Sequence, residues 1–272
     1  MEQSILERLQ REELQILIDF DKFCKSENLR YYLIGGALLG AARYQGFIPW
    51  DDDIDVAMPR EDYERLEKTW KNGPHSDYFL QTPETDPNFA RCIMKLRKNG
   101  TRIVEAVSQH IKMNMGIYID IFPIDFLPEY DFETIDRRAR KIRRLMSLRA
   151  IKSGYSNGRY PSMKRLIRCA AFFVSNQMLD HRINTLCKLG NRGERKFAIL
   201  FLHNYSWEKQ IHPADVFGRG AVCRFEGHDF IGPVKADEFL RKVFGKAYLE
   251  EPPVDLRVSP HKYVEVEFNQ NG

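Results

Sequence analysis

The segment GFIPWDDDIDVAMPRED, residues 46–62, decides the fold because it places four aspartates at the start of an apolar run. The four are Asp51, Asp52, Asp53 and Asp55. Side chains alternate between the two faces of a strand, so Asp53 and Asp55 share one face while the apolar residues face a core. We expect Asp51 and Asp52 to form a solvated turn or to cap a helix. The segment therefore predicts a buried strand that carries two carboxylates into a site.

Two neighbouring carboxylates are tolerated mainly when a cation lies between them, because they repel each other and raise each other's pKa. Oxygen ligands that leave positions for water suit Mg²⁺, with Mn²⁺ as the alternative. The segment GIYIDIF turns Asp120 away from its isoleucines and offers a third carboxylate, for which Asp125 is the competing candidate. The pattern predicts a metal site formed by Asp53, Asp55 and Asp120.

A glycine pair precedes the acidic strand. LRYYLIGG predicts a short strand that ends at Gly35 and Gly36, and ALLGAARYQG predicts a helix after it. A glycine turn lets the backbone approach a phosphate closely, and the N-terminus of the following helix favours an anion. Close helix packing explains a glycine pair equally well. The order strand, helix, acidic strand is thus predicted from local signals.

Local patterns also predict elements elsewhere in the chain. Apolar residues at helical spacing predict a helix from Ser4 to about Ser26, and DYERLEKTW predicts another. Asn99 and Gly100 lie between two apolar runs and predict a two-residue hairpin. MGIYIDIFPIDFLP predicts one more buried strand, and the composition from about 131 to 215 becomes helical and basic.

Composition limits the class of protein. The 272 residues are 43% hydrophobic, enough to bury a sizeable core, and the net charge of +4 is too small to argue for nucleic acid. The five cysteines contain no Cys-x-x-Cys pair, which fits a reducing cytoplasm, and no apolar run approaches the length of a membrane span. We expect one elaborated α+β domain, with a catalytic core at 1–130, a basic helical subdomain at 131–215 and a C-terminal segment at 216–272 that completes the site.

Two of these segments carry a family resemblance. IGGALLGAARYQGFIPWDDDIDVAMPREDYERL and GIYIDIFPIDFLP closely resemble the LicD family of phosphotransferases, and the likeness continues in FEGHDFIGPVKADEFLRKVFGKAYLEEPP. It covers most of the chain except the basic helical middle. The resemblance implies a nucleotidyltransferase-like mixed sheet flanked by helices. It also implies transfer of a phospho-alcohol, typically phosphocholine, from a CDP-activated donor to a hydroxyl of a cell-surface glycan or its lipid-linked precursor.

Within that interpretation, a metal on Asp53 and Asp55 would neutralise the donor pyrophosphate, while Asp120 completes the metal site or takes the acceptor proton. The alternatives are a nucleotidyltransferase of the same fold, a ribitol- or glycerol-phosphate transferase, and a non-catalytic glycan- or nucleotide-binding module. Choline would need aromatic faces for its quaternary ammonium. Candidates are Tyr44, Trp50, Tyr118, Tyr155 and Tyr160.

Basic side chains offer partners for the donor phosphates. Lys95 and Arg97 share one face of a predicted strand, with Arg91 in the same parity, and we interpret Lys95 and Arg97 as pyrophosphate clamps. Arg43, just before the acidic strand, and Arg60, just after it, are further candidate partners for phosphate or carboxylate. A structural salt bridge explains Arg60 nearly as well. A lone histidine, His261 in VSPHKY, either reaches the site or lies on the surface.

The basic middle, residues 137–178, contains RRARKIRR and then KRLIRCAAFFV. Such a charge run is typical of a solvated helix face, and it also suits peripheral docking at an anionic membrane, here the inner face of the cell membrane. No recognisable nucleic-acid-binding module accompanies the charge.

Overall fold

The computed structural model of the chain describes residues 2–71, 77–155, 161–171, 173–259 and 261–269. Within these residues the helices are α1 (Gln3–Ser26), α2 (Gly35–Tyr44), α3 (Arg60–Lys71), α4 (Phe132–Ser153), α5 (Pro161–Ala170), α6 (Asn176–Cys187), α7 (Trp207–Gln210) and α8 (Ala236–Phe244). The strands are β1 (Tyr32–Leu33), β2 (Asp55–Pro59), β3 (Tyr78–Gln81), β4 (Met94–Lys98), β5 (Arg102–Glu105), β6 (Tyr118–Leu127), β7 (Phe197–Ile199), β8 (Ile211–Pro213), β9 (Ala221–Phe225), β10 (His228–Gly232) and β11 (Tyr263–Glu267). The chain is therefore a mixed α+β protein, as the sequence predicts.

The main sheet is built around β6, whose ten residues are all buried. Its order is β1-β2-β6-β4-β3, and β7 and β8 extend it from the far end of β6. The pair β2 and β6 is parallel, whereas β4 and β7 pair with β6 antiparallel. In this register Asp55 lies opposite Asp120, and Lys95 lies opposite Asp120 from the other side. The sheet thus places three charged residues side by side.

Helix α1 fulfils the amphipathic pattern read from the sequence and packs on β4 and β6. Its buried side chains include Leu9, Ile16, Leu17 and Phe20. An edge-to-face contact of Phe23 with Trp70 joins α1 to α3. The first helix therefore forms part of the wall around the central strand.

The predicted hairpin at Asn99 and Gly100 is wrong. The chain does turn there, and Gly100 has the positive φ of 75° that such a turn favours. The strands on either side do not pair with each other, however, because β4 pairs with β3 and β6 while β5 pairs with β11. Strand β11, far along the sequence, pairs with β5, whereas local reasoning predicted that β4 would be its partner.

The predicted basic helical subdomain, residues 131–215, contains α4, α5 and α6 but is not helical throughout. Residues 197–213 contain β7 and β8, and β7 pairs with β6 through Asp125 to Leu127. Arg149 on α4 is buried and binds Asp180 on α6 at 2.9 Å. Residues 156–160 and Phe172, which belong to the predicted membrane-contact range, lie outside the described residues.

Candidate active site

The acidic loop, residues 51–55, lies where β2 begins, and only Asp55 is in the strand. Asp55 and Asp120 face each other across the parallel pair of β2 and β6. The backbone N–H of Asp120 donates to the carbonyl of Ile54 at 2.9 Å, which fixes the register at this point. Burial raises the pKa of Asp53, and the charges of Asp55, Asp51 and Asp120 raise it further. The strand register therefore places Asp55 beside Asp120, and Asp53 lies within the influence of both charges.

A second grouping of carboxylates was not predicted. One oxygen each from Asp51, Asp52 and Asp53 can be chosen so that all three lie within 4.8 Å of one another. Burial, and after it the charges of Asp52 and Asp55, raises the pKa of Asp51 to about 7. Burial likewise raises the pKa of Asp53, followed by the charges of Asp55 and Asp51. These side chains repel one another in a partly dry site, which a bound cation would relieve.

Asp52 differs from the expectation of a solvated turn or helix cap, because only 1% of it is exposed. Its carboxylate accepts hydrogen bonds from the Ser259 hydroxyl and lies 3.0 Å from His261 Nδ1. The Nε2 atom of the same histidine lies 3.9 Å from Asp53. Burial alone would lower the pKa of His261, but the hydrogen bond and charge of Asp52 raise it. The C-terminal segment thus delivers a histidine to the acidic loop.

The glycine pair at the start of α2 lies against the acidic loop. Gly35 has a φ of 56°, and a Cβ there would lie 2.7 Å from Asp55 Oδ2. A Cβ on Gly36 would lie 2.1 Å from Asp51 Oδ2. Any side chain at these positions would collide with a carboxylate, so the glycines permit the aspartates to approach the N-terminus of α2, where the helix dipole favours negative charge.

Lys95 forms the basic side of the site. Its ammonium lies 2.8 Å from Asp120 Oδ1 and 3.1 Å from the centre of the Tyr118 ring. Burial lowers the pKa of Lys95 to about 8, although Asp120 and Glu105 oppose the shift. Arg91 lies 4.0 Å from Glu105, with 28% of its side chain exposed. Lys95 and Arg91 therefore present positive charge next to the carboxylates.

Arg97 is more deeply engaged with the protein. Its Nε donates to Gln81 Oε1 and its Nη1 donates to the Gly116 carbonyl, both at 2.6 Å. Its guanidinium also lies 4.8 Å from the Tyr118 ring centre. Two of its donors are thus occupied in holding the neighbouring backbone and side chain.

Arg43 and Arg60 lie in different surroundings from Lys95. Arg43 donates from Nε to the carbonyl of Tyr248, so it connects the end of α2 to the C-terminal segment. Arg60 binds both oxygens of Asp125, at 2.9 and 2.7 Å. The salt-bridge interpretation of Arg60 is confirmed, and Asp125, the competitor of Asp120, has this arginine as its counter-ion.

His203 is a site residue that sequence reasoning missed. Its Nε2 lies 3.6 Å from Asp55 Oδ2, and its Nδ1 accepts from the backbone N–H of Tyr205. The ring is stacked on Tyr205 and packs against Phe122. Because Nδ1 accepts, Nε2 carries the proton and points towards Asp55. A single histidine in the loop after β7 gives no local signal of this role.

A groove of about 790 Å³ adjoins the acidic loop. Its walls come from the start of α1, from Pro49 and Trp50, and from the segment that leads into β11. Ser259 and His261, which hold Asp52, also line it. The guanidinium of Arg257 lies 5.5 Å from the Trp50 ring centre and is paired with Glu251 at 2.7 Å.

Comparison with known proteins identifies the family of the chain. A family model described as LicD/FKTN/FKRP, nucleotidyltransferase domain, matches residues 28–140. The lipopolysaccharide cholinephosphotransferase LicD of Haemophilus influenzae is 30% identical over 261 residues, which are 91% of this chain and 92% of that protein. The chain belongs to the LicD family.

Two further relatives match shorter stretches. An uncharacterised protein of Rickettsia prowazekii is 28% identical over 118 residues, 43% of this chain and 41% of that protein. The mouse ribitol 5-phosphate transferase FKRP is 46% identical over 44 residues, 16% of this chain and 9% of that protein.

Proposed function

We propose that this chain transfers a phospho-alcohol, phosphocholine in the first instance, from a CDP-activated donor to a hydroxyl of a cell-surface glycan or its lipid-linked precursor. The observation that carries the proposal is the apposition of Asp55, Asp120 and Lys95 across three adjacent strands. A diphosphate donor needs a cation-binding surface and a positive side chain at the same point. The LicD relative, a cholinephosphotransferase, supports the choice of alcohol.

The donor set fits Mg²⁺ or Mn²⁺. The ligands would be carboxylate oxygens, which these hard cations prefer. Burial, and then repulsion between the aspartates, raises the pKa values of Asp51 and Asp53, and a cation would relieve that repulsion. Asp53, Asp55 and Asp120 would hold the ion, with Asp51 and Asp52 beside them. When bound, it would supply Lewis-acid stabilisation of charge on the phosphoryl oxygens.

The residues of the chain would orient the donor. Lys95, held between Asp120 and the Tyr118 ring, places a positive charge beside the carboxylates. Arg91 adds a second, less deeply buried cation, and Arg97 supports Lys95 by holding the Gly116 carbonyl and by packing on Tyr118. Oriented positive charge of this kind stabilises a phosphoryl group during transfer. Asp120 would hold the metal or accept the acceptor proton.

Ring contacts bear on the choice of alcohol. The Tyr118 ring faces the Lys95 ammonium and Trp50 faces the Arg257 guanidinium. The Tyr155 hydroxyl donates to Met113 Sδ. Tyr160 lies outside the described residues. A ribitol phosphate donor is the second candidate, and the short FKRP match favours it.

The direct test measures CMP release from CDP-choline, CDP-ribitol and CDP-glycerol with Mg²⁺, with and without a glycan acceptor. CMP release from CDP-choline that EDTA abolishes is the expected result. Pyrophosphate release from CTP and phosphocholine would instead support the nucleotidyltransferase alternative. Binding of the donor without any release of CMP would support a binding module.

We also propose that the basic middle meets the acceptor at the inner face of the cell membrane. The exposed side chains of α4 include Arg137, Arg140, Lys141, Arg143 and Arg144. Beyond them Met163, Leu166, Phe173 and Met178 are exposed apolar residues. Among the described helices none combines the length and apolar character of a membrane span. Exposed basic side chains followed along the chain by exposed apolar ones are typical of reversible docking on anionic lipid.

Sedimentation with vesicles tests this contact. The wild type should sediment with phosphatidylglycerol-rich vesicles, and not with phosphatidylcholine vesicles or at high salt. Arg143→Glu/Arg144→Glu should lose binding, whereas Arg224→Glu, an exposed arginine on β9, should retain it. Equal binding of both variants would assign the basic side chains to a solvated face.

A further inference from the structure

Glu13, in the middle of α1, is a buried carboxylate for which the described part of the chain provides no counter-ion. Only 2% of the residue is exposed. Its Oε2 atom is fully buried and has no hydrogen-bond partner. By contrast, the adjacent Glu12 is paired with Lys98 at 2.6 Å. A carboxylate without a partner in such a place is expensive, since ionised groups lose their hydration on burial.

The surroundings of Glu13 indicate where its side chain is directed. Gln10, one turn earlier on α1, donates from Nε2 to the carbonyl of Asp51 at 2.9 Å, so this face of the helix lies against the acidic loop. Burial raises the pKa of Glu13, and the charges of Asp53, Asp52 and Asp51 raise it further. The charges that act most strongly on Glu13 are therefore those of other carboxylates, and the helix face that carries it lies against their loop.

We propose that Glu13 belongs to the cation site of the acidic loop and contributes its carboxylate to the binding of a divalent metal. The inference deepens the proposed function, on whose metal site it rests. It adds a residue from a helix that lies outside the matched family domain of residues 28–140. A divalent ion would give Glu13 the positive charge that no described lysine, arginine or histidine provides.

The contribution need not involve direct contact with the ion, because Mg²⁺ and Mn²⁺ keep several waters that carboxylates of a second layer bind. Outer carboxylates of this kind change metal affinity by about 10- to 100-fold. The competing interpretation is that Glu13 carries a permanent proton and serves only the packing of α1. The two interpretations differ in what happens when the charge of Glu13 is removed.

The experiment measures Mn²⁺ binding at neutral pH without substrate, from the electron paramagnetic resonance signal of the unbound ion. It compares the wild type, Glu13→Gln and the matched control Glu12→Gln. We expect Glu13→Gln to weaken Mn²⁺ binding about 10- to 100-fold, and Glu12→Gln to leave it unchanged. Without metal, Glu13→Gln should melt at or above the wild-type temperature, because it removes an unpaired buried carboxylate.

A second variant guards against a folding defect. Glu13→Asp keeps the charge and shortens the side chain, so its Mn²⁺ affinity should fall between those of the wild type and Glu13→Gln. Equal affinity of the wild type and both Glu13 variants would overturn the inference while leaving the metal site intact. Failure of the wild type to bind Mn²⁺ would overturn both the inference and the metal requirement of the proposed function.

Discussion

The central strand β6 carries two buried aspartates, Asp120 near its start and Asp125 farther along, and their surroundings are opposite. Asp125 is matched: both its oxygens accept from Arg60, and Asn191 donates to it at 2.7 Å. Asp120 faces Lys95 but shares its site with the carboxylates of the acidic loop. The same residue type on the same strand is therefore fully paired in one place, and in the other it shares a single lysine with several neighbouring carboxylates.

The contacts of Asp125 and Asp120 show how a structural carboxylate can be distinguished from a functional one. A buried ion pair with complete hydrogen bonding needs nothing further, and its role is to hold elements together. A surplus of buried carboxylates with raised pKa values is unfavourable in the free protein and is expected at sites that bind cations. We call the surroundings of Asp125 and Arg60 the matched end, and those of Asp120 and the acidic loop the unmatched end. The predictions below test whether the two ends differ as their contacts indicate.

The largest effect on turnover is expected from Asp53→Asn and Asp55→Asn. Each should reduce CMP release at least about 1000-fold, because a lost metal ligand costs several kcal/mol of transition-state stabilisation. The metal-free melting temperature should stay the same or rise, since repulsion within the acidic loop is relieved. Asp229→Asn, an exposed aspartate paired with Arg224, is the control for both measurements. Activity within about tenfold of wild type in either variant would contradict the metal assignment.

The matched end should respond in the opposite way. Arg60→Met leaves Asp125 buried without its counter-ion, so we expect a loss of about 3–5 kcal/mol in the free energy of unfolding. The fraction that remains folded should keep its turnover. Urea unfolding followed by circular dichroism measures the first effect, and CMP release per folded molecule the second.

The double variant Arg60→Met/Asp125→Leu provides the check on this interpretation. Removing both charges should recover much of the lost stability, because no unpaired charge remains. A double variant as unstable as Arg60→Met alone would mean that packing around the guanidinium, and not the buried charge, carries the stability of this end.

Much of this difference between the two ends could be predicted from the sequence. The alternation of Asp53 and Asp55 and the isolated Asp120 predicted a three-carboxylate site, and the register of β2 and β6 places Asp55 beside Asp120. Strand parity is a local signal and holds for Asp55 and Asp120. It was wrong for Asp53, which precedes the first residue of β2. Arg60 was open to two interpretations, because spacing along the chain does not reveal which carboxylate lies opposite a side chain.

The rest depends on contacts between distant parts of the chain. Asp52 was expected in solvent, yet Ser259 and His261 enclose it from more than 200 positions away. The turn at Gly100 was real but β11 paired with β5, and no local pattern announces a partner so far along the sequence. Glu13 and His203 are single polar residues whose position next to carboxylates arises only from packing.

A smaller effect is expected within the basic side of the unmatched end. Lys95→Ala removes the cation beside Asp120 and should slow CMP release about 10- to 100-fold. Arg97→Ala should act mainly on stability, by about 1–3 kcal/mol, because it leaves Gln81 and the Gly116 carbonyl without their donor. Steady-state kinetics with CDP-choline and urea unfolding of both variants test this division. Equal loss of turnover at unchanged stability would make Arg97 a phosphate clamp of the same rank as Lys95.

The smallest effect concerns His212 on β8, a fully buried titratable group that belongs to neither end. Its ring is stacked on Phe239 with ring centres 4.5 Å apart and meets Phe217 edge-on. Burial, together with the charge of Lys242, lowers the pKa of His212 to about 3. The fold therefore accepts the neutral ring only.

The pH dependence follows from the direction of that shift. The unfolded chain takes up the His212 proton near pH 6.5, its ordinary pKa of about 6.5, whereas the folded chain does not until about pH 3. Between these values the unfolded state binds more protons, so stability falls as the pH falls, by up to about 1.4 kcal/mol per pH unit. Above that window the contribution is constant.

In His212→Phe the melting temperature should depend less on pH between about 6.5 and 5, with Phe continuing the stack on Phe239. The surface variant His228→Phe should keep the wild-type slope, since His228 is exposed. Parallel pH profiles of the wild type and His212→Phe would mean that the ring is protonated in the folded protein. A neighbouring group would then have to balance the charge of the buried imidazolium.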